Sequence, residues 1–143
     1  MSDTTRNLVV SKLIFQKGIQ RSDLLNASFT DSSLIAMLYY LVQLKGYHIE
    51  ITAVRSDHHD DGQGPGLHAA GLAVDCWPLL DAHQGDYLDA TTQAFRSFLT
   101  DVSKAPYYYD TGLGGSAFLP ANMIGNAFQD SAQDHVHCGV LPA

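Results

Sequence analysis

Residues 66–77 read "GLHAAGLAVDCW", which sets His68 and Asp75 seven positions apart around two alanines and Gly71. Near the C-terminus, residues 133–140 read "QDHVHCGV", an aspartate and two histidines within four positions. "LAVDCW" has the apolar, β-branched character of a strand, and "HVHCGV" alternates with a period of two. Seven is odd, so His68 and Asp75 cannot share one face of a single regular strand. The parity resolves if His68 lies in the loop before the strand, with Gly71 letting the backbone turn or another element approach closely. His135 and His137 do share a face, so one can be a metal ligand and the other its neighbour.

Outward from these runs, helical and extended patterns alternate. "TDSSLIAMLYYLVQLKG" has an N-cap in Thr30 or Asp31, helical apolar spacing, and a stop at Lys45 and Gly46, which predicts a helix over 31–45. "YHIEITAVR" alternates Ile49, Ile51 and Ala53 against His48, Glu50 and Thr52, as a strand does. "SDHHDDGQGPG" reads as an acidic loop; His58, His59, Asp60 and Asp61 match no EF-hand spacing and read as a solvated cleft rim. "GDYLDATTQAFRSFLTDVSK" predicts an amphipathic helix over 85–104. "YYYDTG" reads as extended, and "GLGGSAF" and "GNAFQDSAQ" as loops before the last strand. The expected fold is α+β, an antiparallel sheet with helices packed on one side, in a single domain spanning 1–143 whose first 30 residues are the least legible.

Composition bounds the partners. The chain has 143 residues, is 45% hydrophobic and carries a formal charge of -7, enough for one core and the wrong sign to attract nucleic acid or an anionic membrane. The longest apolar run, "LIAMLYYLVQL", is too short to span a bilayer. "MSDTTRNLVV" lacks the layout of a signal peptide, so the chain is expected to be a soluble cytosolic product. Cys76 and Cys138 each follow a polar site residue and are expected on the opposite sheet face; a disulfide is possible only if their strands are adjacent.

"AVRS", "HAAGLAVD" and "DHVH", in that order, resemble the D-alanyl-D-alanine carboxypeptidases and LAS-type zinc peptidases, which share a fold with the Hedgehog signalling domain. Arg55 and Ser56, then His68, Gly71, Ala73 and Asp75, then Asp134 and His137 occupy the places of that pattern, over roughly residues 30 to 140. Gly66 stands where a serine is frequent, and the usual Trp or Pro near the last histidine is absent. The resemblance implies the Hedgehog/DD-peptidase fold and one Zn2+ held by His68, Asp75 and His137. It implies Asp134 as general base, with Asp110 as a rival. Arg55 would steady an oxyanion or a substrate carboxylate, and His135 would be a neighbouring donor. Ser56 and Tyr108 would contact substrate. The implied activity is a zinc metallopeptidase cutting peptidoglycan peptides at D-Ala-D-Ala or L-Ala-D-Glu linkages, in the setting of a phage-type lysin released at lysis. The competing expectation is a non-catalytic zinc-bearing binding or structural module, such as a phage virion component. Neither reading fixes the oligomeric state.

Overall fold

The computed structural model describes residues 2–58, 66–115, 119–120 and 133–143. The elements in chain order are α1 (Asp3–Ser11), β1 (Ile14–Phe15), α2 (Gly18–Leu25), α3 (Ser32–Tyr39), a π-helical turn (Tyr40–Leu44), β2 (His48–Ala53), β3 (Ala73–Leu79), α4 (Gln93–Lys104), β4 (Tyr108–Gly115), β5 (Leu119–Pro120) and β6 (Gln133–Val140). The strands form one sheet in the order β1-β2-β3-β6-β4-β5. The class is α+β, but the sheet is mixed: β1 pairs parallel to β2, and every other pairing is antiparallel. The expected all-antiparallel sheet is corrected at that edge, because α1, β1 and α2 come from the N-terminal segment whose pattern was least legible.

Helix α3 starts where Asp31 accepts the Ser33 N–H at 3.1 Å, and its last turn widens over Tyr40–Leu44 before Gly46 at φ 76° ends it. The second predicted helix begins eight residues late, at Gln93. Residues 79–88 instead fold back along β3, with Leu80 N–H donating to Asp86 and Leu88 N–H to Pro78. The Asp89 carboxylate takes the Thr91 N–H and hydroxyl, a local turn that competes with the helix, and Thr92 caps α4 by accepting the Phe95 N–H at 3.3 Å. Leu113–Gly115, expected in a loop, belong to β4. Residues 121–132, which include most of the polar run expected as a loop, lie outside the described residues.

The core lies on one face of β2, β3 and β6. Ile49, Ile51, Val74, Cys76, Val136 and Cys138 pack with Leu34, Leu38 and Leu41 from α3 and its extension, and with Phe95, Phe98 and Val102 from α4. Each such aliphatic or phenyl side chain removed from water contributes about 1.5–3 kcal/mol. The two cysteines are free, their sulfurs 3.9 Å apart across β3 and β6, so the strands are adjacent without a disulfide. Among the described residues no helix is long and apolar enough to cross a membrane.

The N-terminal helices are tied down by polar groups. The buried Arg6 guanidinium donates to Leu24 O at 2.7 Å, Thr30 Oγ1 at 2.8 Å and Thr30 O at 3.0 Å. Buried Asp23 accepts from the backbone of Arg55 and Ser56 and from the Ser56 hydroxyl at 2.6 Å. Gly71 has φ 73°, and a Cβ there would collide with the Phe29 carbonyl. Gly71→Ala is therefore expected to destabilise the protein by more than about 1 kcal/mol, read as a fall in the midpoint of chemical denaturation. An unchanged midpoint would contradict the contact.

Candidate metal centre

The register of β3 with β6 puts Asp75 opposite His137, on the sheet face away from the core. His135 lies two residues along on the same face, as the alternation requires. Across β6 on the other side, Gly112 faces His137, Gly114 faces His135 and Asp110 faces Gly139. A Cβ at Gly114 would strike the His135 imidazole, and one at Gly139 would strike Asp110 Oδ1 and come within 2.7 Å of Leu67 Cδ1. These strand glycines make room for the polar side chains opposite or beside them.

His68 arrives from the turn over residues 67–71, before β3 rather than on it. Its Nδ1 stands 2.7 Å from Val54 O, an acceptor only, so that nitrogen carries the proton and Nε2 presents a lone pair. Nε2 lies 3.2 Å from Asp75 Oδ1. Both atoms are buried, and neither has a hydrogen-bond partner among the described residues. Two buried acceptors facing each other are unfavourable unless a proton or a metal ion lies between them.

Three further imidazole nitrogens surround the same carboxylate. His137 Nδ1 is 3.6 Å from Oδ1, while His58 Nε2 and His135 Nε2 are 3.4 and 3.6 Å from Oδ2. Donors bound at about 2.0–2.1 Å around a tetrahedral ion stand about 3.3 Å apart, close to these separations. The donor atoms of His58, His68 and Asp75 all lie within 4.8 Å of one another. This donor set can hold a metal ion.

Asp110 and Asp134 occupy different positions. Asp110 Oδ1 is 2.8 Å from His137 Nε2, so it orients the ring whose other nitrogen faces Asp75. Asp134 is exposed, and its carboxylate contacts His135 Nδ1 at 2.8 Å. One step along β4, Gly114 to Gly115, matches two along β6, His135 to Gln133, so Asp134 is the extra residue of a β-bulge. The bulge supplies the irregularity that its odd offset from His137 demands.

Burial pushes the Asp75 carboxyl up, but His137 and His68 outweigh it, and the carboxyl is held well below the usual carboxylate range. Burial pulls the His137 imidazolium down, but Asp110 and Asp75 prevail and raise its pKa to about 10. A cavity of about 730 Å³ reaches Asp75, His135 and Asp134 at one end and runs past Trp77 to Tyr87 and Asp89.

Other expected residues lie elsewhere. The Arg55 guanidinium donates to Phe29 O at 2.8 Å and stacks over the Phe29 ring, so it is engaged there and does not line the cavity. Ser56 is bound to Asp23, and Tyr108 packs against the core rather than the cavity. The structure does not bring these three to the cavity: Arg55 and Ser56 lie in the turn after β2, and Tyr108 precedes the strand bulge at Tyr109. His58 is the residue that sequence reading missed, having been assigned with its neighbours to a solvated rim. Its proximity to "SDHHDD" acids was visible, but its contact with Asp75 depends on the turn that follows β2.

In metal-free protein the raised His137 pKa links stability to pH. The contribution is complete below the ordinary histidine value of 6.5 and is lost as pH rises through about 10. Thermal unfolding in chelator should show midpoints falling over that window, and Asp110→Asn should flatten the fall; an identical slope in the variant would contradict the pairing. Gly139→Ala, by displacing Asp110 from His137, is expected to weaken metal binding about 10–100-fold in a competitive chelator titration. No family model, curated protein or solved structure matches the chain.

Proposed function

We propose that the protein is a zinc-dependent peptidase with the Hedgehog/DD-peptidase fold, cleaving peptide bonds in bacterial peptidoglycan peptides of the D-Ala-D-Ala or L-Ala-D-Glu type. The observation that carries this reading is the buried pair of Asp75 Oδ1 and His68 Nε2, neither with a hydrogen-bond partner among the described residues, set among further imidazoles at the end of an open cavity. His68, His137 and Asp75 would supply the two imidazoles and one carboxylate that suit zinc in hydrolytic sites. Bound there, zinc would contribute Lewis acidity toward a peptide carbonyl and lower the pKa of a water.

The chain's own groups do the rest. Asp134, exposed on the cavity wall, takes the proton of the attacking water and passes it to the leaving amine. His135, held by Asp134 through Nδ1, keeps Nε2 toward the cavity end, where in its imidazolium form it would donate to the charge that develops on the carbonyl oxygen, the role Arg55 does not fill. Asp110 orients His137, which argues against its serving as the base. Trp77 and Tyr87 line the cavity and offer apolar surface to the substrate backbone.

A second reading, a metal-bearing module without turnover, is favoured by His58, whose approach to Asp75 adds another donor to the centre. Mass spectrometry of cell-wall peptides incubated with the protein decides between the two. Fragments that vanish with chelator and return with zinc are expected; none from any wall peptide, with fully metal-loaded protein, would leave the module. Asp134→Ala should keep metal and lose turnover by about 10²-fold or more, and full activity in that variant would remove Asp134 as base.

A further inference from the structure

The cavity that opens from the metal centre has a second end, formed by Gln16, Tyr87 and Asp89. Its chemistry is set by Glu50, a fully buried carboxylate on β2. Glu50 Oε2 accepts from Gln16 Nε2 at 2.9 Å and from the Tyr87 hydroxyl, and Oε1 accepts the Gly85 N–H at 3.0 Å. All three donors are neutral. An apolar side chain at this position would spare the fold the desolvation of a charge. What the carboxylate adds is a fixed orientation for two side chains that line the cavity.

That orientation leaves acceptors at the cavity end. An ionised carboxylate takes only donors, so the Gln16 amide turns its NH2 toward Glu50, where Nε2 also lies 3.4 Å from the Tyr87 oxygen. Gln16 Oε1 then has no hydrogen-bond partner among the described residues. The Tyr87 proton is committed to Glu50, and the Trp77 indole N–H to Leu88 O at 2.9 Å. The Asp89 carboxylate binds Thr91 through Oδ1 alone, which leaves Oδ2 unengaged among the described residues. Apart from His135 at the metal end, the Thr52 hydroxyl is the one side-chain group of the described lining still able to donate, and it accepts equally well. No lysine or arginine lines the cavity among the described residues, and residues 59–65, 116–118 and 121–132 contain none. A carboxylate brought here by a ligand meets only the like charge of Asp89, whereas an ammonium meets two acceptors and an aromatic ring.

We infer that this end of the cavity is a subsite for a primary ammonium group of the substrate, held by Gln16 Oε1 and the Asp89 carboxylate with its alkyl stem against Tyr87. Glu50 is the positioning residue of that subsite. Its occupant rests on the proposed peptidase: in wall peptides the group of this kind is the side-chain amine of a diamino acid.

Trp77 is the chain's single tryptophan and lines the cavity, so its fluorescence reports occupancy whether or not a bond is cut. The zinc-loaded full chain is titrated with N-acetyl-L-Ala-D-Glu-L-Lys-D-Ala-D-Ala and with the same peptide acetylated at the lysine amine. The free amine should bind about tenfold more tightly. Asp89→Asn, which keeps an oxygen for Thr91, should bring the two affinities together. Asp81→Asn removes the same charge from outside the cavity and should leave their ratio in place. Equal affinities for wild-type protein, or no response to either peptide, would overturn the inference. So would a ratio that Asp81→Asn lowers as much as Asp89→Asn, because net negative charge would then be the cause. Should Asp89→Asn fail to fold, Gln16→Met serves instead and should lower the ratio; an unchanged ratio overturns the subsite. Mass spectrometry of the same samples separates the two conclusions. Amine-dependent binding without fragments keeps the subsite and removes the peptidase, while fragments from both peptides with equal affinities do the reverse.

Discussion

The pairing of β3 with β6 is the constraint on which the rest depends. Its register sets Asp75 beside His137 on one face and Cys76 and Cys138 in the core on the other. A side-chain period of two means that a slip of one residue would turn the carboxylate into the core and a cysteine toward the cavity. Core packing and site assembly are therefore a single specification. The apolar contacts with α3 and α4 that hold the sheet also hold the carboxylate where imidazoles can reach it.

A buried carboxylate is tolerable only with compensation, and much of the molecule supplies it. The imidazoles come from three separate places: the turn after β2, the turn before β3, and β6. Each is held from outside the site. Val54 O orients His68, Asp110 orients His137, Asp134 orients His135, and the turn bearing His58 is tied to α2. The N-terminal helices, remote from Asp75 in sequence, act on the centre through Gln20 and Asp23. Arg6 binds the end of α2 and the segment that follows it to α1, through Leu24 and Thr30.

The sequence made the strand and helix order of residues 31–140 legible because its period-two and helical patterns are strong and its caps are conventional. It also placed His68 in a turn, through parity alone, and required an irregularity at Asp134, which the bulge provides. What it did not reveal depends on contacts distant along the chain. The parallel edge strand β1 is two residues long and leaves no pattern. The late start of α4 follows from hydrogen bonds to β3 and an Asp89 turn that periodicity does not report. His58 and Asp110 acquire their places through tertiary neighbours, and Arg55 is drawn away by Phe29. Gly114 falls in a run that suggests a loop because its reason is steric and lies on the neighbouring strand, as does that of Gly139.

Those glycines change what it would take to transplant such a centre. A design that copied only the histidines and aspartates onto another sheet would give them side chains as neighbours on the adjoining strand. At the positions of Gly114 and Gly139 even a methyl group meets His135 or Asp110. The hollow is as much a part of the centre as the donors, and a recipient scaffold must carry it before any ligand is added. Grafting into an ordinary β-branched sheet would yield the right residue types in the wrong rotamers.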